Sequence, residues 1–127
     1  MKIDFLDLGD VLEIHTNQLD LYGGSAGIRD NGLLESAIAQ PQGGFGKTYL
    51  HGNLFEMAAA YLYHLVQNHP FLDGNKRVGT AAALIFLDIN GIEINAPKGS
   101  VYNLTIAVAT GAAKKPEIAE FFRSHAL

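Results

Sequence analysis

The chain has 127 residues, 48% hydrophobic and 17% charged, a balance that supports one real core and argues against disorder. A formal net charge of −4 leaves no global basic field for nucleic acid, although Lys76-Arg77 and Lys114-Lys115 are local cation pairs. The lack of cysteine excludes disulfides, thiolate chemistry and Cys-based zinc sites, and no apolar run approaches the roughly 18 residues of a membrane span.

Acidic residues stand where a secretion signal needs an apolar stretch, so a soluble cytoplasmic protein without direct nucleic-acid or membrane partners is expected. Leu8, Val11, Leu12, His15, Leu19 and Tyr22 recur at helical spacing behind a candidate cap at Asp7, and Gly23-Gly24 closes that helix. His15 lies on the apolar stripe, which predicts a buried, hydrogen-bonded structural histidine. Ser25 to Arg29 reads as loop. Asp30 and Asn31 cap a short helix with Leu33, Leu34, Ala37 and Ile38 inward, stopped by Pro41.

Gly46-Lys47-Thr48 imitates the end of a phosphate-binding P-loop. Pro41 occupies the position of that motif's first glycine, and the required strand–loop–helix context is missing, so the P-loop is rejected. A glycine-rich flap beside the site is expected instead, with Gly44, Phe45, Lys47, Thr48 and Tyr49 positioning a target.

Asn53 and Glu56 form a capping-box-like start to a long helix ending near Asn68. It is apolar on most sides and therefore interior. A second interior helix runs from near Asn75 to Asn90-Gly91. Ile92–Asn95 reads as a short extended piece, Pro97 as the start of a helix closed by Gly111, and Pro116 as the start of the last helix. The expectation is a single all-α domain over residues 1–127, with two buried central helices flanking a polar loop and a short flap.

That loop, His69-Pro70-Phe71-Leu72-Asp73-Gly74-Asn75-Lys76-Arg77, carries the chemistry. The helix starting near Asn75 presents unpaired N–H groups and a positive dipole end. Gly74 permits close approach of a phosphate. Lys76 and Arg77 oppose the helix dipole unless a polyanion binds there, which points to a triphosphate. A lone carboxylate, Asp73, suits Mg²⁺ held jointly with phosphate oxygens. Asn75 can cap the helix or bind phosphate, and Phe71 turns inward as an anchor. His69, at the end of the upstream helix before Pro70, can accept a proton near neutral pH. Singly, each has an ordinary reading: a helix-end histidine, an Asp-Gly turn, solvated cations. Their joint occurrence between two apolar helices favours function. His64 and His69, five apart, do not share a helical face as metal ligands, and neither a HExxH pattern nor a Ser/Cys nucleophile with a base is present.

At this loop the sequence resembles the Fic/Doc family, whose signature begins His-x-Phe-x-Asp/Glu-Gly-Asn. Tyr22-Gly23-Gly24, Gly27-Ile28-Arg29-Asp30, Gly32-Leu33-Leu34-Glu35 and Ala109-Thr110-Gly111 fit its smaller Doc-like (death-on-curing) toxin branch. Lys76 follows Asn75 where the adenylylating branch has glycine, and Thr80 stands where that branch has a second arginine. Gly74 is the Fic-like choice where Doc has alanine. The resemblance implies a Fic fold and a kinase that uses ATP and Mg²⁺ to phosphorylate a threonine of elongation factor Tu and arrest translation. It makes His69 the base, Asp73 the metal ligand, and Gly74, Asn75, Lys76 and Arg77 the phosphate binders. Family members that inhibit themselves carry Ser/Thr-x-x-x-Glu-Gly/Asn. No glutamate here precedes Gly or Asn, so a separate antitoxin is implied. Adenylyl transfer by the same loop and a catalytically silent partner-binding module are the alternatives.

Overall fold

The computed structural model describes residues 2–45 and 48–127, the Phe45 side chain excepted. Helices dominate it: α1 (Leu8–Tyr22), α2 (Asn31–Ala39), α3 (Leu54–Asn68), α4 (Asn75–Ile89), α5 (Ser100–Ala109) and α6 (Lys115–Ser124). A two-stranded antiparallel ribbon, β1 (Gly44–Phe45) with β2 (Thr48–Tyr49), is the only sheet among the described residues. The all-α expectation holds. No helix among the described residues is long and apolar enough to cross a membrane.

The caps follow the sequence. Asp7 Oδ1 accepts from Asp10 N at 2.8 Å while Asp10 Oδ2 accepts from Asp7 N at 2.9 Å, a reciprocal box that starts α1. Asn53 Oδ1 accepts from Glu56 N at 2.9 Å, and Asn53 Nδ2 donates to Glu56 Oε2 at 2.6 Å, starting α3. Two boundaries differ from expectation. Pro41 does not end its helix outright but sits in one further 3₁₀ turn (Gln40–Gln42), where its missing N–H is tolerated. Pro97 does not open α5, because residues 97–99 form a turn whose carbonyl at Pro97 accepts from Ser100 N at 3.0 Å.

α3 and α4 form the centre. Met57, Ala58, Ala59, Tyr61, Leu62 and Leu65 of α3 are buried, as are Val78, Ala82, Ala83, Phe86 and Leu87 of α4. The small residues allow a close crossing: a Cβ at Gly79 would lie 2.9 Å from Val66 Cγ2 and 3.3 Å from the Leu62 carbonyl. The other elements wrap this pair. Tyr61 Oη accepts from Leu6 N at 2.8 Å, tying the N-terminal segment to α3. The extended piece at 92–95 meets the C-terminus through a bridge between Ile94 and Ala126.

Away from the motif loop, α3 and α6 share a polar contact with a measurable consequence. Lys115 Nζ lies 3.0 Å from His64 Nε2, and the neutral imidazole is the form that accepts from an ammonium. Burial, then the Lys115 and His51 charges, push His64 from 6.5 down to about 4. A histidine depressed in the folded state supplies its full stability above its unfolded value of 6.5 and loses it as pH falls towards about 4. The expected loss is on the order of 1–2 kcal/mol once solvent screening of this half-buried group is allowed for. Urea midpoints of wild type and His64→Gln measured across that window check it: the wild type falls more steeply. Parallel profiles contradict it.

Candidate active site

The motif loop crosses from the C-terminus of α3 to the N-terminus of α4, and every polar residue in it has a traceable position. Pro70 disfavours a right-handed conformation at His69. The chain leaves α3 through the left-handed region, with His69 at φ 49° and ψ 52°, the one positive-φ residue besides glycines among the described residues. That conformation costs about 1 kcal/mol in a residue with a side chain. The imidazole it carries is exposed.

Phe71 turns inward and is 1% exposed. Its ring stacks on that of His15, centroids 3.7 Å apart and planes within 8°. His15 is buried, as expected of a structural histidine, and its Nε2 lies 2.8 Å from the Asp73 carbonyl oxygen. A carbonyl only accepts, so Nε2 carries the proton. Asn75 is buried too: its Oδ1 accepts from Phe71 N at 2.9 Å and its Nδ2 donates to Phe71 O at 3.0 Å. Its side chain therefore holds the loop and does not cap α4. Gly74, at φ 81°, is the N-cap residue, with no side-chain cap bond.

The consequence is an open helix mouth. The first N–H groups of α4, from residue 75 onwards, have no intrahelical acceptors, and the dipole end is positive. A cavity of about 470 Å³ lies over this mouth, lined by His69, Leu72, Asp73, Gly74, Lys76 and Arg77 among others. An anion placed there meets N–H groups and cations together. Lys76 is exposed. Arg77 is partly committed, its Nη1 donating to Gly23 O at 2.8 Å beyond the end of α1, with Nη2 4.0 Å from Asp73 Oδ1.

Asp73 keeps its carboxylate at the rim, 46% exposed. Its oxygens accept from Ser25 N at 3.0 Å and Gly74 N at 2.8 Å. These backbone bonds, with the nearby Arg77 charge, hold it below the usual carboxylate range, so it is ionised and able to serve a cation. No group of three or more His, Asp or Glu side chains among the described residues is arranged to hold a metal. A divalent ion at Asp73 would complete its shell with water and phosphate oxygens, the arrangement Mg²⁺ favours.

A strap formed by residues 23–30 lies across the loop. Leu72 N donates to Gly27 O at 3.0 Å, Arg29 N and Asp30 N donate to Pro70 O at 2.7 and 3.0 Å, and Ile28 bridges Phe71. Arg29 adds side-chain bonds, Nε to His69 O at 2.6 Å and Nη2 to Asn68 O at 2.9 Å. Residues 25–29 read as plain loop in the sequence. Their pairing is made by backbone groups, which leave no mark on hydrophobic periodicity.

Of the predicted site residues, the structure brings His69, Asp73, Gly74, Asn75, Lys76 and Arg77 to one cavity. It does not bring the flap there. Gly44, Thr48 and Tyr49 line no part of that cavity, and the Tyr49 ring packs 5.5 Å from Phe5, which itself stacks on Phe86 late in α4. The flap expected beside the site thus lies towards the opposite end of the central helices, because it precedes the N-terminus of α3 whereas the loop follows its C-terminus. Lys47 falls outside the described residues, and so does the side chain of Phe45.

Residues 5–87, spanning α1 through most of α4 with the whole motif loop, match the Fic/DOC family. The chain belongs to the Fic/Doc family. Toxin Doc of Mycolicibacterium smegmatis is 42% identical over 93 residues, covering 73% of this chain and 69% of that protein. The protein kinase doc of Escherichia phage P1 is 31% identical over 115 residues, covering 90% of this chain and 89% of its own length. The helical architecture described above is that expected of a Fic fold, and the loop joining its two central helices lies within the matched residues.

Proposed function

We propose that this Fic/Doc protein is a Doc-like toxin that transfers the γ-phosphoryl group of ATP to a threonine hydroxyl of a protein target, elongation factor Tu by the family resemblance. The observation that carries this reading is the shared cavity: an exposed imidazole and an uncapped, cation-flanked helix mouth open onto the same space. The phage P1 relative named a protein kinase supports the direction of transfer.

In the proposed reaction the imidazole of His69 takes the proton of the target hydroxyl. The new O–Pγ bond forms as the bond between Pγ and the β–γ bridging oxygen breaks, and ADP leaves. Gly74 supplies the left-handed N-cap turn, with no capping side chain, that leaves the helix end open to the triphosphate. The backbone N–H groups at residues 75–77, with the Lys76 and Arg77 side chains, hold the phosphates. Asp73 would hold Mg²⁺, which supplies charge neutralisation on the phosphate oxygens. Asn75 contributes through its backbone, its side chain being engaged with Phe71.

The ribbon Gly44–Phe45 and Thr48–Tyr49 would grip an extended target segment by strand pairing. Lying near the start of a helix about 22 Å long, it would meet that segment roughly seven residues from the acceptor hydroxyl. Inhibition is proposed to come from a separate antitoxin, in keeping with the toxin name of the Mycolicibacterium smegmatis relative and the lack of a built-in Glu-Gly or Glu-Asn inhibitory motif in the sequence.

ATP labelled at the α or the γ position, incubated with the protein and elongation factor Tu or cytosolic protein, tests the assignment. Label is expected on protein from the γ position only, and Lys76→Gly is expected to lose it. Label from the α position alone would make the protein an adenylyltransferase. No transfer from either, with no nucleotide-dependent heat in Mg²⁺, would leave a silent binding module.

A further inference from the structure

We propose that Arg29 is the positioning residue for the imidazole at position 69, fixing where His69 points by clamping the carbonyls of Asn68 and His69 at the C-terminal end of α3. The inference rests on the reading of His69 as the base.

Three observations converge. His69 is held in a left-handed conformation, which a residue with a side chain adopts only where its surroundings impose it. The guanidinium of Arg29 donates to both carbonyls around that turn, Nε to His69 O at 2.6 Å and Nη2 to Asn68 O at 2.9 Å. Those carbonyls belong to the helix end that lacks intrahelical donors, where a cation is favoured. The backbone N–H of Arg29 donates to Pro70 O at 2.7 Å, so one residue grips the chain on both sides of the His69–Pro70 bond.

The fork geometry matters. Two donors of a planar guanidinium reach two successive carbonyls, which a lysine ammonium on a flexible stem reproduces only in part. Arg29 itself is exposed, does not line the cavity over α4, and spends its side-chain hydrogen bonds on these two carbonyls, not on Asp73. Its loss should leave nucleotide binding in place and misplace the proton acceptor. Misplacement by about an ångström costs on the order of a hundredfold in rate.

The test uses the full chain with ATP, Mg²⁺ and elongation factor Tu, comparing wild type, Arg29→Ala, Arg29→Lys and His69→Ala. Arg29→Ala is expected to lower kcat about tenfold to a hundredfold, with KM for ATP within about twofold. Arg29→Lys is expected to fall between it and wild type, and guanidinium ion added to Arg29→Ala restores part of the rate. NMR supplies a readout independent of turnover: the His69 Cα and Cβ shifts leave their left-handed values in Arg29→Ala while those of Leu62 and Leu65 stay. Unchanged His69 shifts or an unchanged kcat in Arg29→Ala overturn the proposal, as does an equal loss of nucleotide binding. If Arg29→Ala does not fold, a wild-type kcat in Arg29→Lys overturns it. An active His69→Ala variant instead removes the base assignment on which it rests.

Discussion

His69→Ala is expected to lower phosphoryl transfer by about 10²–10⁴-fold, roughly 3–5.5 kcal/mol of barrier, without unfolding the protein. The imidazole is exposed, so its removal opens no cavity. Its backbone sits at φ 49°, a conformation alanine tolerates no better than histidine. His69→Gly should therefore lose transfer equally while gaining stability, since glycine has no Cβ to strain there. Single-turnover rates with γ-labelled ATP, beside thermal midpoints of both variants, check the pair. Transfer at the wild-type rate in either would remove the base from the proposed reaction.

The second large effect concerns the anchor of the loop. Phe71→Ala is expected to destabilise the fold by about 3–5 kcal/mol, the usual range for deleting a buried phenyl ring. The ring is 1% exposed and stacked on His15, so the vacated space is bounded by a side chain that holds the Asp73 carbonyl. The Phe71→Leu variant keeps most of the volume and should cost less than about 1.5 kcal/mol. Urea unfolding of both decides it. A loss under about 1 kcal/mol for Phe71→Ala would mean that the loop is not anchored through this ring.

These effects come from two sources with unequal visibility in sequence. The central helices are legible because apolar runs flank a polar loop and because Asn53 and Glu56 announce a helix start; Asn53 caps α3 as expected, and Glu56 answers its side-chain amide in place of its backbone N–H. His15 and Phe71 are legible as inward residues, although their mutual stacking is not, being a contact between positions distant in the chain. Asn75 looks like a helix cap from its place before an apolar run. Its amide instead answers both backbone groups of Phe71, a choice that only the three-dimensional course of the loop can make.

The strap at 23–30 is the least legible part of the site. Its bonds to Pro70, Phe71 and Leu72 are backbone-made and bridge some forty residues of chain, so no local pattern announces them. Gly24 hints at it after the fact. A Cβ there would meet Asp73 Oδ2 at 2.6 Å and Arg77 Nη2 at 3.0 Å, which explains a glycine at φ 123° beyond what closing α1 requires. The placement of the flap is hidden for a related reason: its glycines predict a turn, and the turn is present, but they carry no information about which end of α3 it faces.

The most direct measurement is a structure of the protein bound to Mg²⁺ and a non-hydrolysable ATP analogue. The account predicts the terminal phosphate on the N–H groups at the start of α4, beside Lys76, with the metal on Asp73 and the His69 ring facing the γ-phosphorus from the open side. An α-phosphorus in that place, or a nucleotide bound away from this helix mouth, would contradict it.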